Sequence, residues 1–238
     1  IQDKLHGLEM IEHVRRRVLN SGLFDDVIVA TGDREISELV KSFGGKIVIT
    51  KNKHFNGTSR VAEAIKSIDA THIVIVQGDE PLLMPSHLEK MVNSLKNNPS
   101  VDSWNATTKL TSVEQLNKRS FVKCIIGNKK NILYCFRRSP SFANEKIQLT
   151  YIRKIMGLIA YKREALIELN NKKETILEKI EFIEQLKIIT YGFKLFSVDV
   201  EPELPSINVP GDEENVLNYI STNPIQQKLL KETLSFQK

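Results

Sequence analysis

The stretch VQGDEP at 76 to 81 gathers the residue types that can hold a metal ion beside a phosphate. It overlaps the end of HIVIVQ at 72 to 77, the most continuous apolar run in the chain. Such runs suit a strand of a parallel sheet covered on both faces. In open parallel sheets ligands bind beyond the carboxyl ends of the strands, which is where Asp79 falls. Gly78 lets the backbone come close to a ligand or adopt a positive φ. Pro81 limits Glu80 to extended conformations, so the side chain of Asp79 is held toward the crevice. A carboxylate fixed there suits Mg²⁺, a hard cation usually bound by one or two carboxylates together with substrate phosphates. The competing reading of the same pattern is an Asp that N-caps the following helix.

The elements that must position this carboxylate read as alternating strands and helices. Met10, Ile11, Val14, Val18 and Leu19 recur at helical spacing with Arg15, Arg16 and Arg17 between them, an amphipathic helix ending near Gly22. VIVAT at 27 to 31 and KIVIT at 46 to 50 are strands, and between them a helix starts near Asp33 and stops at Gly44 and Gly45. A polar loop through KHFNGTSR leads to a helix from Val61, and SHLEKMVNSL forms the next one. Short alternating segments at 121 to 126, 131 to 136 and 155 to 161 read as an antiparallel arm over about 121 to 162. ETILEKIEFIEQLKIITYG at 174 to 192 reads as one long helix with Ile180, Ile183 and Leu186 on its core face, followed by a strand at 194 to 200. From residue 212 the chain reads as helical. Elements of this kind predict a doubly wound, mostly parallel α/β fold, a single domain over 1 to 238.

Composition narrows the class without choosing an activity. A hydrophobic fraction of 41% and a charged fraction of 26% are those of a globular protein, which sets aside disordered and coiled-coil readings. The net charge is +5, but Lys and Arg are interleaved with Asp and Glu, so an anionic small substrate is expected and a nucleic acid is not. Cys124 and Cys135 lack the spacing of a zinc site and are expected as buried free thiols. No apolar run reaches the ~20 residues of a membrane span, so no membrane insertion and a cytoplasmic location are expected.

VQGDEP after an apolar strand, preceded by H-x-N-G-T-x-R at 54 to 60, resembles the 3-deoxy-manno-octulosonate cytidylyltransferases. ILYCFRRSP at 132 to 140 is similar to that family's strand ending in Phe-Ser-Arg, and LEKIEFIEQLKIITYG at 177 to 192 to its Leu-Glu-x-x-E-x-x-E-Q-L-R helix. IMGLIAYKREAL at 155 to 166 and INVPGDEENV at 207 to 216 continue the likeness in order and spacing over nearly the whole chain. The resemblance implies a Rossmann-like nucleotidyltransferase fold with helices on both faces of the sheet, and a homodimer joined through the arm. It implies that the anomeric hydroxyl of a sugar acid attacks the α-phosphorus of CTP, giving a CMP-sugar and pyrophosphate, with Mg²⁺ as cofactor. Asp79 and Asn208 would hold the metal. Asn56, Gly57, Thr58, Arg60, Gln77 and Gly78 would line the nucleotide site. Gln77, Arg137, Glu184 and Gln185 would meet the sugar acid, Arg137 being suited to bidentate recognition of a carboxylate.

Departures from the family pattern bear on substrate and metal. Asn208 stands where the family has an aspartate; its amide oxygen can coordinate Mg²⁺ but adds no charge. Asp212 is a nearby acid that helix capping also explains. Ile155 and Ile159 replace a family His and Tyr, which points to an amino-substituted or deoxygenated ulosonic acid, or to Kdo itself, because hydrogen-bonding groups discriminate strongly among polar substrates. The family's first strand and its Arg, Gly and Lys-bearing phosphate loop would lie before Ile1. The loop is expected upstream of Ile1 rather than absent; the alternatives are another sugar or nucleotide on the same scaffold, or a catalytically inactive binding homologue, to which Asn208 and a missing loop would point.

Overall fold

The computed structural model describes residues 4–207 and 211–236, which divide into two compact units. Residues 1–67, 76–89 and 204–238 form one, residues 68–75 and 90–203 the other. The chain opens with a short antiparallel pair, β1 (Lys4–Leu5) and β2 (Leu8–Glu9), and α1 (Met10–Asn20). β3 (Ile28–Thr31) pairs in parallel with β4 (Lys46–Ile49) across α2 (Arg34–Ser42), whose N-cap is Asp33 as expected. Asp33 accepts hydrogen bonds from the amides of Glu35 and Ile36 at 2.8 and 3.2 Å.

α3 (Gly57–Ala64) begins four residues before the expected start at Val61. The side chain of Asn56 accepts from the amide of Ser59 at 2.8 Å, and Ser59 Oγ accepts from the amide of Asn56 at 3.4 Å, a reciprocal cap that draws HFNGTSR into the first helical turn. The spacing of apolar residues begins at Val61, so periodicity alone misses a polar first turn. β5 (His72–Val76) follows, then α4 (Pro85–Asn97). Because α4 starts at Pro85, Asp79 is not its N-cap.

The second unit is built on a six-stranded sheet. β6 (Ser103–Lys109), α5 (Val113–Asn117), β7 (Lys123–Ile126), β8 (Ile132–Phe136), α6 (Glu145–Tyr151) and β9 (Ile152–Lys162) lead to α7 (Arg163–Asn171). Then come α8 (Ile176–Glu181), α9 (Gln185–Thr190) and β10 (Leu195–Asp199). The strand order is β10-β6-β9-β7-β8, with β5 also paired to β9. β10 runs parallel to β6, whereas β9 is antiparallel to β6 and β7, and β7 to β8. The expected antiparallel arm is therefore present, and its eleven-residue strand β9 also carries antiparallel pairing onto β6. Leu110, Leu116, Phe136 and Ile152 form one of the core clusters under it.

The long helix expected over 174 to 192 is two helices. Phe182 takes a left-handed φ of 52° after α8, a conformation that stops an α-helix, and α9 starts at Gln185. Of the three residues expected on its core face, Ile183 and Leu186 are buried, but Ile180 is 67% exposed because the break rotates α8 out of register with α9.

The chain ends in α10 (Asp212–Thr222) and α11 (Pro224–Leu234). Gly211, not Asp212, is the N-cap of α10, and Asp212, Glu213 and Glu214 occupy its first turn, where acids offset the helix dipole. These helices pack in the first unit, where Val216, Ile220 and Leu230 join Leu5, Met10, Leu82, Leu204 and Ile207 in one apolar cluster. α11 also changes the reading of α1. Arg15, Arg16 and Arg17, between the apolar positions of this amphipathic helix, are buried too. Arg15 and Arg16 pair with the fully buried Glu12 at 2.6 to 3.0 Å, and Arg16 Nη1 donates to the carbonyl of Thr233 at 3.2 Å. Arg17 Nη1 donates to Gln226 Oε1 at 2.8 Å and to the carbonyl of Leu83 at 3.1 Å. Buried charges persist when paired and hydrogen-bonded as those of Arg15 and Arg16 are, whereas Nε and Nη2 of Arg17 are buried with no hydrogen-bond partner among the described residues. Burial still brings Arg17 down to about 10.

Candidate active site

Asp79 lies three residues past the end of β5, in the first unit. The turn is closed by the amide of Glu80 donating to the carbonyl of Gln77 at 3.3 Å and that of Leu83 to the carbonyl of Glu80 at 3.2 Å. Gln77 is exposed; Gly78 and Asp79 are half-buried. Within this frame Asp79 Oδ1 is buried and has no hydrogen-bond partner among the described residues. Burial of the carboxyl raises its pKa above the usual carboxylate value, since desolvation penalises the charged form. A hard cation compensates such an oxygen, so the donor fits Mg²⁺. Among the described residues no group of three or more His, Cys, Asp or Glu is placed to hold a metal ion.

Asn208 lies outside the described residues. Its neighbour Ile207 donates its amide to the carbonyl of Asp79 at 3.1 Å, which ties the segment leading to Asn208 to the Asp79 turn.

The HFNGTSR residues take on structural tasks beside their expected one. Asn56 is spent as the N-cap of α3. Arg60 reaches back to the 50 to 52 loop: Nη1 donates to Thr50 Oγ1 at 2.7 Å and to the carbonyl of Lys51 at 3.1 Å, and Nη2 to the carbonyl of Asn52 at 3.3 Å. From the other side Gly32 touches the same loop; a Cβ there would lie 2.7 Å from the carbonyl oxygen of Lys51. Gly57 is different, since a Cβ built on it meets nothing within 4 Å, leaving open space over the first turn of α3. Thr58 is half-buried in that turn.

Arg137, Glu184 and Gln185 all lie in the second unit. Arg137 Nε and Nη2 donate to the carbonyls of Glu181 and Phe182 at 3.1 and 3.0 Å, and Nη1 to those of Arg119 and Ser120, both at 3.2 Å. It thus caps the carbonyls that the break after α8 leaves outside the helical ladder. Four of its five N–H groups are engaged, so the bidentate geometry expected for a sugar carboxylate is taken up by main chain, and a single N–H remains. Glu184 stands at the N-cap of α9. Gln185 is buried and donates Nε2 to Asn105 Oδ1 on β6 at 2.9 Å.

A family profile described as Cytidylyltransferase matches residues 3–196. The 3-deoxy-manno-octulosonate cytidylyltransferase of Geotalea daltonii is 32% identical over 91% of this chain and 90% of the relative. That of Fusobacterium nucleatum is 32% identical over 93% and 90%. The chain belongs to the 3-deoxy-manno-octulosonate cytidylyltransferase family. A solved CMP:2-keto-3-deoxy-manno-octonic acid synthetase complexed with CTP superposes with a TM-score of 0.85 at 27% identity, covering 92% of this chain and 90% of that one. The inositol-1-phosphate CTP transferase of T. maritima, at 12% identity and a TM-score of 0.65, shares the fold.

For this cytidylyltransferase the sequence missed two buried polar residues next to the expected sugar-acid set. Lys123 on β7 is fully buried, donates to the carbonyl of Lys118 at 2.8 Å, and is brought down to about 8 by burial and then by the nearby Arg137 charge. Asn105 is fully buried as well. Lys123 is the lone polar letter of an otherwise apolar β7, which is the available signal, whereas β6 (SWNATTK) is rich in polar residues and does not single out Asn105. Cys124 and Cys135 are buried free thiols, as expected, and lie opposite each other on β7 and β8. Among the described residues no helix is long and apolar enough to cross a membrane.

Proposed function

We propose that this chain transfers CMP from CTP to the anomeric hydroxyl of a 3-deoxy-2-ulosonic acid, Kdo or an amino or deoxy relative, and releases pyrophosphate. The observation that carries the reading is the buried, unpartnered oxygen of Asp79 beyond the carboxyl end of β5, in a chain of this family. Asp79 holds Mg²⁺, and Asn208 contributes an amide oxygen. Mg²⁺ bound there would offset the negative charge that nucleotidyl transfer concentrates on phosphate oxygens. Gly57 and Gly78 admit the nucleotide close to the backbone, Thr58 and Gln77 supply hydrogen bonds, and Arg60 steadies the loop at 50 to 52 that faces it. On the sugar side Glu184 and Gln185 are the polar contacts, and Arg137 offers its one remaining N–H to the carboxylate. The protein is cytoplasmic and works as a homodimer. Apolar side chains exposed on the arm, Leu133, Tyr134, Phe142 and Ile147, support that assembly.

The test is pyrophosphate release by the full-length protein with CTP, Mg²⁺ and a panel of sugar acids. Release with Kdo or a relative is expected, with loss of about 100-fold or more in kcat for Asp79→Ala. Release only with another nucleotide or sugar would move the activity elsewhere on the same scaffold, and no release with any would leave a binding homologue.

A further inference from the structure

β6 carries a fully buried asparagine where its sheet is irregular. The register between β6 and β9 shifts between Asn105 and Thr107, and a bulge of this kind leaves main-chain groups without ladder partners. Asn105 fills that gap: its Nδ2 lies 3.0 Å from the carbonyls of Ala106 and Met156 and 3.3 Å from that of Leu158. All three partners are acceptors, so the amide nitrogen must face them and Oδ1 must point the other way. Oδ1 then accepts from Gln185 Nε2 at 2.9 Å. Ile159, the register partner of Asn105 on β9, is buried and apolar and offers the amide no alternative.

The consequence passes along the chain of amides. A glutamine amide has a donating end and an accepting end that differ little in shape, so a partner of fixed polarity decides which end faces where. With Oδ1 of Asn105 fixed as an acceptor, Gln185 must give it Nε2, and its own Oε1 is turned away from β6. We propose that Asn105 is the positioning residue that sets the polarity of Gln185, so that Gln185 presents a carbonyl acceptor to a hydroxyl or amino donor of the sugar acid. The proposal rests on the sugar-acid reading given above for Gln185. The three carbonyls that orient Asn105 belong to β6 and to the 156 to 158 part of β9, so the selectivity of Gln185 is set by the bulge rather than by α9.

The experiment is a double-mutant cycle on the full chain, with Asn105→Ala, Gln185→Ala and the pair, measuring KM for the sugar acid and for CTP separately. Asn105→Ala is expected to raise the sugar KM roughly tenfold, the effect of losing one well-oriented hydrogen bond, while the CTP KM stays unchanged. The pair should be no worse than Gln185→Ala alone, because Asn105 acts through Gln185. Additive losses, an equal rise in both KM values, or no change in the sugar KM would overturn the proposal. Should Asn105→Ala fail to fold, Asn105→Ser retains a hydroxyl for one strand carbonyl yet is too short to reach Gln185, and the same split is expected. The hydrogen bond is also read without substrate. In isotope-labelled wild type one side-chain NH₂ proton of Gln185 should be protected from exchange, and that protection should vanish in either Asn105 variant. Its absence in the wild type overturns the proposal whatever the activity. If the wild type turns over no sugar acid while the proton is protected, the function reading fails with the substrate half of the proposal, and the orientation half stands.

Discussion

A carboxylate oxygen removed from water without a hydrogen bond costs the folded chain free energy unless a cation or a proton compensates it. Asp79 Oδ1 is in that position, and its raised pKa expresses the same cost. Because its pKa lies above the ordinary aspartate value, the folded chain keeps the proton at pH values where the unfolded chain has released it. Stability from this group is therefore fully present below about pH 4 and is lost as pH rises through the folded value. Asp79→Asn, which does not titrate, should raise the melting temperature of the metal-free protein by a few degrees near neutral pH, with the gain shrinking toward pH 4. Mg²⁺ with CTP should raise the melting temperature of the wild type and not of the variant. Melting curves over a pH series with and without these ligands decide it; a variant that is less stable at neutral pH would remove the unpaired-oxygen argument. This residue was legible in the sequence because Gly, Asp and Pro after an apolar run constrain the backbone by themselves. For Arg60 and Asn56 the structure adds capping and loop-bracing tasks that the sequence did not show, since nearly all of their partners in those tasks are main-chain atoms of neighbouring turns, which a side-chain pattern does not encode.

At the scale of elements, strands and helices with a clean apolar period were readable, and the errors fell where a polar or left-handed residue interrupts a period. The first turn of α3 is all polar or small, and its helicity comes from the Asn56 and Ser59 cap. The segment from 174 to 192 keeps a helical period on both sides of Phe182, but the period does not report the left-handed residue that divides it. Arg137 holds that division together by bonding Glu181 and Phe182 on one side and Arg119 and Ser120 on the other. Lysine has three N–H donors on one nitrogen at the end of a flexible stem and cannot bond all four carbonyls. Arg137→Lys should therefore lose about 2–3 kcal/mol of stability, from two or three bonds of about 1 kcal/mol each. Denaturant unfolding measures this directly. A variant with wild-type stability and a raised sugar KM would instead mean that the guanidinium leaves these carbonyls to bind substrate.

At the scale of the molecule, sequence periodicity describes what a helix buries against its own sheet and says nothing of what arrives later in the chain. The arginines of α1 read as the polar part of an amphipathic helix because α11, whose residues they bond, is about two hundred residues further on. The opposite case holds for the arm, where apolar residues that a folded chain would normally cover stay in water. Leu133, Phe142 and Ile147 are each more than half exposed, on a strand, a loop and a helix that lie close together in sequence. Soluble monomers rarely leave such groups uncovered together, and a second copy would cover them with identical chemistry under two-fold symmetry. The full-length protein is therefore expected to sediment as a dimer at micromolar concentration. Leu133→Asp with Phe142→Asp, which put two charges into the contact of each subunit and four into the dimer, should shift it to monomer while leaving the melting transition of the monomer cooperative. Both side chains are solvent-exposed in the single chain, so their replacement costs the fold little and the change in sedimentation reports the contact itself. A wild type that sediments as a monomer would overturn the dimer, and a double variant that remains dimeric would place the contact away from the arm.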